Sequence, residues 1–278
     1  MTQREQAPAK VNLLLQVGPA REDGLHELCS IFASIDLADE LRFEPVPALA
    51  ADEVVCPGVD GPNLVAAALA EFRERVDSAL PPLRVTVEKR IPVAAGLAGG
   101  SADAAAALRA ANAIAGVPAT SDELRALAAR LGSDVPSQVE PRHALVTGAG
   151  ERVEPLELPA LSLVLVPHAD GLSAGEVYAE ADRLGTTRER LDEQSARELA
   201  ALPAQELAAR LESDLEPAVL SLRPAVRDNL DALLEAGARA ALVSGSGPTA
   251  VGVFGSDEDA RRAAGLIDGA IPARLRTA

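Results

Sequence analysis

Pro92-Val93-Ala94-Ala95-Gly96-Leu97-Ala98-Gly99-Gly100-Ser101-Ala102-Asp103 is the most informative segment of the chain. Before it, Leu83, Val85 and Val87 alternate with Arg84, Thr86 and Glu88, the period of a half-buried strand. After it, Ala102 to Asn112 is an alanine-rich run that reads as a helix. Glycines let backbone N–H groups approach a ligand closely and turn toward it. The helix start adds unpaired N–H donors and the positive end of a dipole. A strand, a glycine-rich loop and a helix start together make a phosphate site on physical grounds. A plain turn is the alternative, and the concentration of glycines before a serine weakens it. No Gly-Lys-Ser/Thr follows, so this is not a Walker A loop and it brings no lysine of its own. Nor is it a clean Gly-x-Gly-x-x-Gly fingerprint.

Outward from this loop the pattern is mixed. Ala9 to Val17 reads as a strand, with Val11, Leu13, Leu15 and Val17 on one face and Lys10 and Asn12 on the other. Gly18 to Glu27 reads as a turn-rich connection, and Leu28 to Ile35 and Glu40 to Glu44 as two further strands. Asn63 to Val76 has helical spacing, with Asn63 as its N-cap. Thr120 to Leu131 is a helix opened by a Thr120/Glu123 capping box and stopped by Gly132. Ser162 to Val166 is a strand. Ser173 to Leu184, Thr187 to Ala200, Pro224 to Ala236 and Asp257 to Asp268 read as helices. Ala241 to Ser244 and Thr249 to Phe254 read as short strands around a Gly-Ser loop. The fold class is α+β in two lobes. The seam is expected at about residues 152–161, giving domains 1–156 and 157–278.

Composition narrows the function. With 278 residues the chain is long enough for a large core without staples. The net charge of −16 argues against a nucleic-acid coat or an anionic membrane surface as partner. Aromatic residues are 2%, too few for single-strand stacking platforms. Cys29 and Cys56 form no CxxC pair and read as small core residues, which fits a reducing cytoplasm. Met1 to Pro8 has no apolar run of the secretory type, and no segment is apolar enough to span a bilayer. His26, His143 and His168 have no metal-ligand spacing, so no dedicated protein metal site is expected.

Three further groups could carry chemistry. Lys10 and Asn12 share a strand face and could present a cation and an amide to a polar substrate; plain solvent exposure is the alternative. Asp134, in Gly132-Ser133-Asp134-Val135-Pro136, could take a proton from a hydroxyl. It could equally be a helix cap. Ser244-Gly245-Ser246-Gly247-Pro248-Thr249 could supply backbone donors, or be a bare hairpin.

Taken together these segments resemble the GHMP small-molecule kinase superfamily. The resemblance runs nearly end to end, through Pro8 to Leu13, Asp23 to Leu28, Ile91 to Ala107, Gly132 to Pro136, Gly148 to Glu151 and Ser244 to Thr249. It implies a two-lobed fold with ATP in a cleft between the lobes, the N-terminal domain being the ATP-binding one. Pro92 to Ala102 would wrap the ATP phosphates and Asn63 would border the adenine. Asp134 would be the base and Lys10 its electrostatic partner, with Mg²⁺ carried by the nucleotide. The Pro-Ala-Lys-Val-Asn and Asp-Gly-x-His segments point to a small cytidyl-diphosphate substrate phosphorylated on a 2-hydroxyl, in isoprenoid precursor synthesis. Asn12 would orient its erythritol end, His26 would hydrogen-bond the cytosine, and Tyr178 would lie against that ring. Gly245, Ser246, Gly247 and Thr249 would shape the substrate side. Leu25 stands where the family usually has Tyr or Phe, so one side of the base would be aliphatic. The protein is expected to act in the cytoplasm as a monomer or homodimer. Two alternatives are a GHMP kinase for another small alcohol and a non-catalytic ATP-binding paralogue.

Overall fold

A computed structural model describes residues 2–59, 63–116 and 119–277. The strands are β1 (Gln3–Ala20), β2 (His26–Pro45), β3 (Glu53–Val55), β4 (Leu83–Glu88), β5 (Ala144–Gly148), β6 (Arg152–Pro155), β7 (Ser162–Val166), β8 (Glu212–Ser213), β9 (Ala240–Val243), β10 (Ala250–Phe254) and β11 (Ile271–Arg274). The helices are α1 (Leu64–Arg75), α2 (Gly99–Ala115), α3 (Ser121–Ala128), α4 (Val135–Gln138), α5 (Ala174–Leu184), α6 (Glu193–Ala200), α7 (Ala204–Ala208), α8 (Glu216–Leu222), α9 (Val226–Glu235) and α10 (Asp257–Ala264). The expected α+β class holds.

The chain divides into two compact units. The first holds the chain up to Ala9, Leu37–Val93 and Ala98–Pro141; the second holds Lys10–Asp36, Ala94–Leu97 and the chain from Arg142 onward. The sequence places one boundary at 156/157. Here the division instead interrupts β1, β2 and the glycine-rich loop, so each unit is built from separated segments.

In the first unit β4 lies antiparallel to the end of β2, with Leu41 opposite Val87 and Phe43 opposite Val85, and parallel to β3. Leu83, Val85 and Val87 are buried while Thr86 and Glu88 are exposed, as the alternation predicts. α1 begins where expected, because Asn63 Oδ1 accepts from Val65 N at 2.8 Å. α3 carries the predicted capping box, although it ends at Ala128, before Gly132. α2 is buried on nearly all sides, Ala104 to Leu108 being wholly covered. A helix apolar all round belongs inside a core. It packs on α1 through Val65, Leu69 and Phe72.

In the second unit β11, β7, β10 and β9 form an antiparallel sheet in that order. α9 and α10 cover it through Leu230, Leu233, Ala260 and Ala263, against Val164, Val166 and Phe254. The start of β2 pairs antiparallel with β5, and Leu14 and Leu15 of β1 pair in parallel with β8.

Several expectations are corrected. The two strands expected at 28–35 and 40–44 are one continuous strand, β2. Asp39 falls between the two expected strands, yet it is wholly buried and accepts from Arg90 N and Ile91 N. β1 is buried on both faces from Ala7 to Gly18 rather than half-solvated. The helix expected at 187–200 begins only at Glu193. Arg188 instead gives its N–H to Val17 O and its guanidinium to Asp214, and Asp192 caps α6 by accepting from Ser195 N. α9 and α10 are shorter than expected at their ends. Cys56 is only partly buried.

Candidate active site

β1 places Lys10 and Asn12 two residues apart, so both side chains leave the strand on one face. Lys10 is 4% exposed. Its Nζ donates to Asn12 Oδ1 at 2.8 Å and sits 4.3 Å from the centre of the Phe32 ring. A desolvated cation over an aromatic face gains on the order of 1–2 kcal/mol. Asn12 Nδ2 donates to Ser30 Oγ at 2.8 Å, and Ser30 Oγ donates to Leu14 O at 2.5 Å. The direction of this relay is forced. Leu14 O only accepts, so the single Ser30 proton goes to it. Ser30 Oγ then accepts from Asn12, which turns its carbonyl oxygen to Lys10. Solvent exposure is therefore not the reason for these two polar residues.

The Ser244–Thr249 loop closes on the same residues. Asn12 N donates to Ser244 Oγ at 3.2 Å, and Ser244 Oγ donates to Gly96 O at 3.3 Å. A methyl group at Gly245 would meet Asn12 Oδ1 at 3.1 Å and Lys10 Nζ at 3.4 Å. At Gly96 it would lie 2.8 Å from Gly247 N, and at Gly247 it would meet Val243 at 2.9 Å. Gly96, Gly245 and Gly247 also have positive φ, of 75°, 58° and 65°. Their first role is thus close approach of chain to chain. Ser246 is half-buried, while Thr249 is wholly buried with no partner for its Oγ1 among the described residues. Ala95 and Leu97 are buried, and Leu97 O accepts from Lys10 N at 3.2 Å. Ala94 is exposed.

In the first unit, α2 opens with Ala98 at φ 56° and no side-chain cap, and its first turn holds no acidic residue. The N–H groups of Gly99, Gly100 and Ser101 have no intrahelical acceptor. A methyl group at Gly100 would meet only Leu64 Cδ1, at 3.7 Å, whereas one at Gly99 would press on Ile91 at 3.0 Å. The start of α1, capped by Asn63, therefore adjoins the start of α2. Pro92 is half-buried and Val93 is 60% exposed, while Ala102 is covered. These donors fit a phosphate group. Among the described residues no group of three or more His, Cys, Asp and Glu is placed to hold a metal ion.

Below this helix start lies a charged cluster that sequence reading does not single out. Lys89 Nζ donates to Asp39 Oδ2 at 2.5 Å and to Asp103 Oδ2 at 2.8 Å. Asp103 Oδ1 is buried without a hydrogen-bond partner among the described residues. Burial pushes the Asp103 carboxyl up to about 7, with Asp39 adding to this and Lys89 opposing it. Lys89 is held above its ordinary value because Asp103 and Asp39 outweigh the effect of burial.

Asp134 immediately precedes α4, yet its side chain makes no capping bond there; Ser137 Oγ donates to its main-chain oxygen at 2.8 Å. In the second unit, His26 and Tyr178 stack with ring centres 5.1 Å apart, and His26 Nε2 is 3.0 Å from Asp182 Oδ1. Leu25 beside them is 46% exposed. Sequence reasoning missed Ser30, Phe32, Leu64, Lys89 and Asp182. Ser30 and Phe32 read as ordinary strand residues, and the others make pairings that depend on distant segments.

The GHMP kinases N terminal domain model matches residues 63–140, and the GHMP kinases C terminal model residues 191–265. The chain belongs to the GHMP kinase family and is a small-molecule kinase. A protein of Nocardia farcinica (strain IFM 10152) named 4-diphosphocytidyl-2-C-methyl-D-erythritol kinase is 43% identical, over 98% of this chain and 92% of its own. A crystal structure of 4-(cytidine 5'-diphospho)-2C-methyl-D-erythritol kinase is 34% identical with a TM-score of 0.82, covering 99% of this chain and 100% of that one. Homoserine kinase from Cytophaga hutchinsonii ATCC 33406, at 17% identity and a TM-score of 0.72 over 99% of this chain and 95% of its own, shares the fold alone.

Proposed function

We propose that this kinase transfers the γ-phosphoryl group of ATP to the 2-hydroxyl of 4-diphosphocytidyl-2-C-methyl-D-erythritol, a step of non-mevalonate isoprenoid precursor synthesis. The observation that carries the reading is Lys10, a buried ammonium held by Asn12, which Ser30 and Ser244 in turn hold, with the Phe32 ring and Gly245 beside it. Relatives 43% identical that bear this enzyme's name support the substrate.

The N–H groups at the start of α2 hold the phosphates by the general affinity of helix starts for anions. Asp134 accepts the hydroxyl proton as the substrate oxygen bonds to Pγ and the bond from Pγ to the β-phosphate oxygen breaks, releasing ADP. Lys10 offsets negative charge on the transferring group. Mg²⁺ bound to the nucleotide supplies further charge neutralisation. Asn12 offers its second Nδ2 proton to the erythritol end, and His26 contacts the cytosine.

ADP release with Mg²⁺-ATP, compared across this substrate, homoserine, mevalonate and a panel of sugars, tests the proposal. Cytidyl-dependent release with phosphate on the 2-hydroxyl is expected. Turnover with another alcohol alone moves the substrate, and ATP binding without turnover removes the activity. Asp134→Asn is expected to lower kcat by about 10²–10⁴-fold, with ATP affinity held within about twofold, as befits a base that takes no part in nucleotide binding. An unchanged kcat removes Asp134 from the role of base.

A further inference from the structure

The His26 ring is held on two sides. Its face stacks on Tyr178 with 28° between the planes, and its Nε2 lies 3.0 and 3.2 Å from the two oxygens of Asp182. The imidazole side chain is only 8% exposed, whereas Asp182 is 47% exposed. None of this is needed to hold the fold: Asp182 lies on the solvent side of α5, and the helix has its own capping box at Ser173 and Glu176. The bond instead has a chemical consequence. An ionised carboxylate only accepts, so the proton in the bond belongs to Nε2. A neutral imidazole has one N–H, which leaves Nδ1 as a lone-pair acceptor.

We propose that Asp182 is a positioning residue that fixes the Nε2–H tautomer of His26, so that Nδ1 accepts from a base with an exocyclic amine and rejects one with a carbonyl there. This rests on His26 contacting the base, as proposed above. Cytosine presents an N4 amine where uracil presents the O4 carbonyl. A carbonyl facing the Nδ1 lone pair makes no bond and leaves two acceptors opposed, so the discrimination comes from the missing proton as much as from the bond made. A half-turn of the ring would keep the stack on Tyr178 but break the bond from Nε2 to Asp182, so the same carboxylate also holds the ring's orientation.

Two measurements test this without turnover. The first is the ¹⁵N shifts of the imidazoles at about pH 8.5, above the ordinary imidazole range. The chain has only three histidines, so His26 is assigned from a His26→Gln sample. The second is calorimetric titration with CDP and with UDP in saturating ADP, which fills the ATP site. The wild type is expected to show Nε2–H at His26 and to bind CDP more tightly than UDP. Asp182→Ala is expected to mix the tautomers and lower the CDP-to-UDP preference about tenfold, the scale of one discriminating hydrogen bond. Asp182→Asn keeps an acceptor oxygen and is expected to keep most of that preference. In turnover, Asp182→Ala is expected to raise KM for the cytidyl substrate while kcat and the KM for ATP hold. Equal CDP and UDP affinity in the wild type, an Nδ1–H tautomer, or an undiminished preference in Asp182→Ala overturns the proposal. A CDP preference lost in Asp182→Ala, without turnover of the cytidyl erythritol, upholds the tautomer lock and overturns only the substrate reading.

Discussion

Ala94–Leu97 and Ala98–Ser101 follow one another in the same loop and are similarly rich in small residues, but the chain uses them in opposite ways. In the first stretch Gly96 has positive φ and no room for a methyl group, because the Ser244–Gly247 backbone lies against it. In the second, Gly100 is exposed and a methyl group would meet only Leu64, at ordinary contact distance. One glycine exists for its own chain; the other leaves backbone N–H groups approachable from outside. Glycine content alone does not separate these demands. The atoms an added Cβ would meet do.

Substitutions can break that contrast. Gly96→Ala is expected to lose about 3 kcal/mol or more, from overpacking together with a left-handed conformation. It would appear as a lower urea midpoint. A normal midpoint with weakened ATP binding would merge the two stretches. Gly99→Ala lies between the extremes: Ile91 must yield at 3.0 Å, and a net loss of about 1 kcal/mol is expected. Gly100→Ala is expected to hold or raise the midpoint, since alanine gains up to about 1 kcal/mol over glycine in a helix. It should nevertheless raise KM for ATP several-fold by crowding the N–H groups the phosphates use. Wild-type ATP kinetics in Gly100→Ala would remove the second stretch from the phosphate site.

A pH effect concerns what fastens the second stretch. Asp103 is raised to about 7 in the folded chain by burial, while the unfolded chain releases this proton in the ordinary carboxylate range. Through that window the folded state binds the extra proton, so stability falls as pH rises toward about 7. Asp103→Asn should flatten this part of the profile in urea unfolding at stepped pH. An unaltered slope would mean that Lys89 keeps the carboxyl ionised throughout.

Local signals were legible in the sequence. The Asn63 cap, the alternation of β4 and the Thr120/Glu123 box each lie within a few residues, and each appears in the structure. The Lys10–Asn12 pairing was legible too, because strand period alone puts them on one face. What was hidden depended on distant segments. Asp39 lies outside both strands expected there, and Lys89, Arg90 and Ile91 satisfy it inside one continuous strand. Arg188 looks helical until Asp214 and Glu212 claim its guanidinium. Asp182 is one acid among many on charged helices until His26 is brought to it.

The hydroxyl of Ser30 sits two bonds of the relay away from Lys10. Asn12 has two ends of nearly equal size, and a half-turn of its amide would point an NH₂ group at an ammonium. Lys10, a donor only, selects the carbonyl end, and Ser30 selects the same orientation from the other side, because its only proton is committed to Leu14 O. With alanine at position 30 the orientation would rest on Lys10 alone, and Asn12 Nδ2 would lose its acceptor. A residue that touches no reacting atom thereby reinforces the dipole that the buried cation sees.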